Sequence, residues 1–433
     1  MSWKEIYKSR LTSAREAVAH IRSGDRVVVG HACGSPETLL KAMTENREAY
    51  EKVELVHMVS MGPSEYCLPE NSRHFVHNSL FAGATSRAAI DEGRAEFTPC
   101  HFSQIPLLFQ EGTLPVDVCL CMLSPPDEHG FCSFGISVDY TKPAAECAKT
   151  IIAQVTPHMP RTLGDAFIHV SRIHHIVECD DKPIVLNPPK IGALDEAIGS
   201  HCAELIRDGD VLQLGIGALP DAILGFLKDK HDLGIHTEMF SDGVVDLVEA
   251  GVVTGARKNF HPGRMVATFF MGTEKLYNFV HNNPLVEMYT VDYTNDPCII
   301  GRNDNMVSIN SALQVDFSGQ VVSDTIGLRQ YSGTGGQVDF VRGATFSKGG
   351  RSILAFQSTA AKGKLSRILP VIDAGACVTT PRTDVHYIVT EYGIAQMRGK
   401  TVSQRARALI EIAHPDFRED LKSAYRKRFG REF

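Results

Sequence analysis

One pattern occurs twice in this chain and leaves few folds open to it. Ile21-Arg22-Ser23-Gly24-Asp25 leads into a Val-rich run ending at Val29, then Gly30, Pro36 and Leu39-Leu40. Ile206-Arg207-Asp208-Gly209-Asp210 leads into an apolar run ending at Leu214, then Gly215, Pro220 and Ile223-Leu224. Each copy reads as turn, buried strand, glycine bend and helix. Two such openings in 433 residues, more than one hydrophobic core usually spans, predict two α/β halves.

The rest of the chain alternates in the same way. Short apolar runs at 26–30, 52–60, 116–123 and 151–155 suit central parallel strands, and residues 36–47 and 143–149 suit connecting helices. The fold class is α/β, with two doubly wound halves, each a mainly parallel sheet flanked by helices. Residues 3–22 carry a helical apolar period, and a proline-rich break at 180–190 is the best inter-domain linker. The expected domains are therefore 1–185 and 190–433. In the second, a helix at 193–207 precedes the repeated turn, then a strand at 210–214, a helix at 219–229 and a strand at 235–240. From Thr401 the chain reads as helical, with Ala406, Leu409, Ile410 and Ile412 as its packing stripe.

Composition excludes several function classes. With 43% apolar and 22% charged residues the chain is an ordinary globular protein. A net charge of -7 argues against nucleic acid and anionic membranes as partners, so an anionic ligand needs local donors. Eleven cysteines lack Cys-x-x-Cys spacing, and no His-Glu-x-x-His occurs, so no metal site is expected. No apolar run approaches a membrane span or a signal-peptide core, and the cytoplasm is the expected compartment.

The two copies differ where chemistry would sit. Only the second becomes Gly215-Ile216-Gly217-Ala218-Leu219-Pro220, with Glu238 in Thr237-Glu238-Met239-Phe240-Ser241-Asp242-Gly243 about twenty residues on. Loops leaving the C-terminal ends of neighbouring parallel strands converge, which would set Glu238 beside a glycine loop and a helix start that accept an anion. Dinucleotide binding and a purely structural turn are the rival readings of this stretch, and against the first, Pro220 stands where the third glycine of that fingerprint would be. A second glycine cluster, Gly333-Thr334-Gly335-Gly336, offers unhindered N–H groups for an oxyanion, and Asn295 and Asn310 offer amide donors. Met58, Met61 and Met239 are possible acyl-pocket walls.

These motifs resemble the class I CoA-transferases, in the acetyl-CoA hydrolase/transferase branch. The match runs through Gly215 to Pro220, Glu238 in Glu-Met-Phe-Ser-Asp-Gly, Asn310-Ser311-Ala312-Leu313, Gly333 to Phe340, Arg398-Gly399-Lys400 and Ile412-Ala413-His414-Pro415, with Ser124 to Gly130 in the first half. The resemblance covers essentially the whole chain and is nearest to members acting on butyryl-CoA or 4-hydroxybutyryl-CoA with acetate. It implies that Glu238 is a covalent nucleophile forming a glutamyl-CoA thioester. It further implies that Gln213, Leu214, Gly215, Ile216, Gly217, Leu313 and Gly336 contact CoA, which is a substrate, with no tightly bound cofactor. Lys362 and Lys364 are possible contacts to its phosphates. Partners implied are acyl-CoA, short-chain carboxylates and a second copy in a homodimer. An acyl-CoA hydrolase and a non-catalytic acyl-CoA sensor are the alternatives on the same fold.

Overall fold

The computed structural model describes the whole chain, Met1–Phe433. It separates into two compact units, Met1–Asn187 with Val266–Thr294, and Pro188–Met265 with Asn295–Phe433. Each is built on a mainly parallel sheet flanked by helices, as the duplicated opening predicts.

The first unit's sheet has seven parallel strands in the order His175–Glu178, Thr150–Val155, Val118–Leu123, Arg26–Val29, Val53–His57, Phe75–Ser79, Ala95–Phe97. All six residues of Val118–Leu123 are buried, the signature of a strand covered on both faces. In the second unit the order is Gly393–Gln396, Tyr387–Thr390, Arg351–Ala355, Met306–Asn310, Val211–Leu214, Gly234–Ile235, parallel except for the edge strand Gly393–Gln396. Laid side by side, the repeated strands Arg26–Val29 and Val211–Leu214 hold the same place. Each has the next strand in sequence on one side and a much later strand on the other. That reversal of strand order is a topological switch point, where open α/β sheets place their ligands beyond the strand ends.

Three local readings change. Residues 3–22 form two helices, Trp3–Ser9 and Ala14–Val18. Each begins with a capping box, Ser2 with Glu5 and Ser13 with Glu16, and the residues between them pair with the sheet at Ile176. The helix expected at 193–207 ends at Glu204, and the strand expected at 235–240 is Gly234–Ile235. At the C-terminus, helices Val402–Glu411 and Pro415–Phe429 bury Ala406, Leu409 and Ile410, and Ile412 just past the first helix is buried too, around a core that includes Phe317, Phe356 and Ile388.

Val266–Thr294 lies beyond the linker in sequence but packs with the first unit. Phe269 sets its ring 4.5 Å from that of His31, Phe270 N–H donates to the Ile136 carbonyl, and Val291 N–H donates to the Asp139 carbonyl. The segment thus covers the first unit's own switch point.

Candidate active site

In the second unit, strand Val211–Leu214 stops at Gly215 because the chain must turn from the sheet into helix Ala218–Gly225. Gly217 takes φ +117°, a backbone state that side chains resist, and caps the helix with no side chain over its first N–H groups. Nothing lies within 4 Å of where a Cβ would stand on Gly215 or Gly217, so the loop borders open space. A helix start with bare N–H groups facing open space is suited to an anion.

Glu238 sits three residues past Ile235, in the loop rather than in the strand. The buried Thr237 hydroxyl ends the ladder there, lying 3.2 Å from the Leu214 carbonyl and 2.8 Å from the Met239 carbonyl. Two groups then fix the half-buried carboxylate. The amide nitrogen of the fully buried Asn295 donates to Glu238 Oε2 at 2.8 Å. Against the same oxygen lies Gly336, where a Cβ would stand 2.0 Å from Oε2 and 2.3 Å from Asn295 Nδ2. Any other residue at 336 would drive into the carboxylate. Gly336 is also the N-cap of helix Gln337–Phe346, which places Glu238 at the positive end of a ten-residue helix. Gln337 pins that helix start by donating to the hydroxyls of Ser323 at 2.9 Å and Thr380 at 3.0 Å.

A second polar pair marks the switch point. Gln213, buried at the end of its strand, exchanges amide bonds with Asn310 on the neighbouring strand, the shorter being Asn310 Nδ2 to Gln213 Oε1 at 3.0 Å. Leu313 follows in the same loop, half-buried, its N–H on the Val322 carbonyl at 2.8 Å. Asp221, in the first turn of helix Ala218–Gly225, accepts from the Ser241 hydroxyl at 2.9 Å. Burial pushes its carboxyl up and the charge of Asp242 adds to this, against that hydrogen bond.

Of the residues expected at the site, Glu238, Gly336 and Asn295 meet in one cluster, while Gln213 is tied to Asn310 and Ile216 lies half-exposed in the open loop. Leu214 is buried, with only its carbonyl turned to Thr237. Lys362 lines a cleft of about 390 Å3 in the second unit with Arg367, Tyr392 and His414, and Lys364 is not among its lining residues. Met58 and Met239 are core residues, and Met61 borders a cavity in the first unit. Sequence reasoning quoted Thr237 within the motif without giving it a role and did not single out Asp221, because the hydrogen bonds to the Leu214 carbonyl and from the Ser241 hydroxyl join residues about twenty positions apart.

A carboxylate that accepts from a buried amide and lies against a glycine at a helix start is an arrangement suited to acyl or CoA transfer. Residues 1–188 match the acetyl-CoA hydrolase/transferase N-terminal domain and residues 272–425 its C-terminal domain. The chain belongs to the acetyl-CoA hydrolase/transferase family. It is 58% identical to the 4-hydroxybutyrate coenzyme A transferase of Clostridium kluyveri, over 99% of this chain and 100% of that protein. To the butyryl-CoA:acetate CoA-transferase of Anaerostipes caccae it is 40% identical, over 97% of each chain. Among solved structures, the 4-hydroxybutyrate CoA-transferase of Porphyromonas gingivalis superposes with a TM-score of 0.86 at 44% identity, covering 99% of this chain and 100% of the other. No helix is long and apolar enough to cross a membrane.

Proposed function

We propose that this chain is a CoA-transferase that moves CoA between butyryl-CoA or 4-hydroxybutyryl-CoA and acetate, by a ping-pong route through a glutamyl-CoA thioester on Glu238. The observation that carries the reading is the Glu238 carboxylate fixed between the Asn295 amide and Gly336 at the start of helix Gln337–Phe346.

A carboxylate is a weak nucleophile, so its rate must come from position and from stabilising the charge that develops on the carbonyl under attack. One Glu238 oxygen bonds to the thioester carbonyl carbon, the C–S bond breaks, and CoA leaves as thiolate, giving an acyl-glutamyl anhydride. The thiolate then bonds to the glutamyl carbonyl carbon, and the acyl group departs as its carboxylate, leaving glutamyl-CoA. Acetate enters and the steps reverse, so electrons and atoms balance with no further reactant. Throughout, the Asn295 amide and the N–H groups at the start of helix Gln337–Phe346 serve as donors to the glutamyl oxygens. The open loop Gly215 to Gly217, with Gln213, Leu214, Ile216 and Leu313 around it, is assigned to CoA, and the remote binding of CoA lowers the barrier at the acyl centre.

The same reading takes CoA as substrate rather than resident cofactor, and a homodimer in the cytoplasm, in keeping with eleven unpaired cysteines. It assigns the nucleophile, Glu238, to the C-terminal half of the chain.

The test is exchange between butyryl-CoA and labelled acetate, followed by mass spectrometry of the peptide that contains Glu238. CoA should appear on that peptide, and Glu238→Gln should lower exchange by about a thousandfold or more. Undiminished exchange in the variant removes Glu238 as nucleophile. Acid release exceeding transfer at saturating acetate would instead mark a hydrolase.

A further inference from the structure

Asp221 joins two parts of the site that the chain builds separately. Its N–H donates to the Gly217 carbonyl at 3.1 Å, closing the helix turn that follows the glycine bend. Its Oδ1 accepts at 2.9 Å from the hydroxyl of Ser241, three residues past Glu238. The Glu238 loop is therefore tied at both ends to one stretch of chain. At its start the Thr237 hydroxyl lies 3.2 Å from the carbonyl of Leu214, the residue before the bend, and at its end Ser241 reaches Asp221, just after the bend.

Ser241 makes this tie in place of another. It stands at the N-cap of helix Asp242–Glu249, where a serine hydroxyl ordinarily accepts from an N–H of the first turn and stabilises the helix by about 1 kcal/mol. No such bond forms here, and the buried serine donates to Asp221 instead. Gly243, in the first turn of the same helix, lets helix Ala218–Gly225 come near. A Cβ at 243 would stand 2.8 Å from Leu224 Cδ1 and 3.8 Å from Asp221 Oδ1. The ordinary reason for an acid at a helix start is attraction to the positive end of that helix. It accounts for the charge of Asp221, but not for a serine that leaves its own helix uncapped or for the close approach at Gly243.

The geometry points to Asp221 as a positioning residue that couples the glycine bend to the Glu238 loop through Ser241. CoA seated at the bend holds Asp221, Asp221 holds Ser241, and the loop that carries the nucleophile is held in turn, so binding at the bend is used to place Glu238. The inference rests on the CoA-transferase reading and adds to it the route by which the bend acts on the nucleophile.

The experiment measures kcat and KM for butyryl-CoA at saturating acetate, per folded molecule, in wild type, Asp221→Ala, Ser241→Ala, the double variant and Asp221→Asn. In Asp221→Ala, kcat and kcat/KM should fall together by about tenfold to a hundredfold, leaving KM nearly unchanged. Ser241→Ala should show the same loss, and the double variant no more than either, because the same bond is removed twice. Asp221→Asn keeps the acceptor oxygen and removes the charge, so it should recover most of the loss. Wild-type kcat in Ser241→Ala overturns the inference, as do losses that multiply in the double variant or a rise in KM alone. Hydrogen exchange supplies a readout independent of turnover. Free CoA should slow amide exchange over both 214–221 and 237–241 in wild type, and over 214–221 alone in Asp221→Ala. Equal slowing of 237–241 in the two proteins overturns the inference even where CoA transfer is normal. Absence of both CoA protection and CoA transfer in wild type removes the transferase reading, and the inference with it.

Discussion

The two switch points of this molecule start from the same strand, bend and helix and end in opposite conditions. In the first unit, residues 27–36 are buried without interruption. His31 is only 1% exposed, packed against the rings of Phe102, Tyr140 and Phe269, with Nδ1 3.3 Å from Asp139. Asp139, itself fully buried, accepts from the Ser137 hydroxyl and from the N–H groups of Tyr140 and Thr141. In the second unit the corresponding bend is partly exposed, its two glycines have nothing beside them, and the polar side chains gather around the Glu238 carboxylate. One copy has filled the crevice with its own side chains, and the other has left it open to a ligand. Duplication supplies the crevice, and the residues that follow the strand decide whether it is structure or site.

The comparison breaks most directly if the open site is filled. Gly336→Ala puts a Cβ where Glu238 Oε2 and Asn295 Nδ2 now approach, so the carboxylate must leave its position or the helix start must shift. Exchange should fall by about a hundredfold to a thousandfold, the scale of losing one oriented donor at the reacting group. Unfolding by urea should show the smaller effect, about 1–3 kcal/mol, the cost of overpacking a buried position. Full activity in Gly336→Ala would mean that the packed carboxylate is not the working geometry.

That prediction depends on features read from sequence to very different degrees. The paired halves follow from apolar runs and glycines at fixed offsets, because strand burial and bend geometry restrict which residues stand there. Glu238 and Gly336 stand out through the glycine clusters and the acid about twenty residues past Gly217, and the roles expected of them come from the family resemblance. The two N-terminal helices were hidden by an apolar period that runs through both, although Ser13 and Glu16 carry the capping signal that divides them. The attachment of Val266–Thr294 to the first unit depends on Phe269 meeting His31, a contact between residues far apart in sequence that no local period records. The tie between Asp221 and Ser241 is of the same kind.

The filled crevice should fail differently. His31→Ala removes a ring enclosed by three aromatic side chains and leaves Asp139 without its imidazole neighbour. The expected cost is about 2–4 kcal/mol of stability, read as a lower urea midpoint. Because His31 is packed core in the first unit, the loss should appear in folding before it appears in turnover per folded molecule. A variant as stable as wild type would show that the crevice is not held by its own side chains.

Acid should separate the two units more gently. The first unit's sheet buries His77, whose Nδ1 lies 3.2 Å from the Leu55 carbonyl, and His57 beside the Tyr66 hydroxyl at 2.8 Å. Burial pulls His77 down to about 4, against the hydrogen bond to Leu55, and burial holds His57 well below the ordinary imidazole range. Below the unfolded value of about 6.5 the unfolded chain binds protons that the folded one refuses. Stability from these groups is therefore complete above about 6.5 and is lost as the pH falls toward 4. His77→Gln keeps a side chain able to hydrogen-bond but removes the titration, so between pH 7 and pH 5 it should lose about 1–2 kcal/mol less than wild type. Hydrogen exchange should place the first acid-labile amides on strands Val53–His57 and Phe75–Ser79. If the variant and wild type instead lose stability in parallel, the acid sensitivity belongs elsewhere, and the packed histidines of the first unit carry no more pH dependence than the open site of the second.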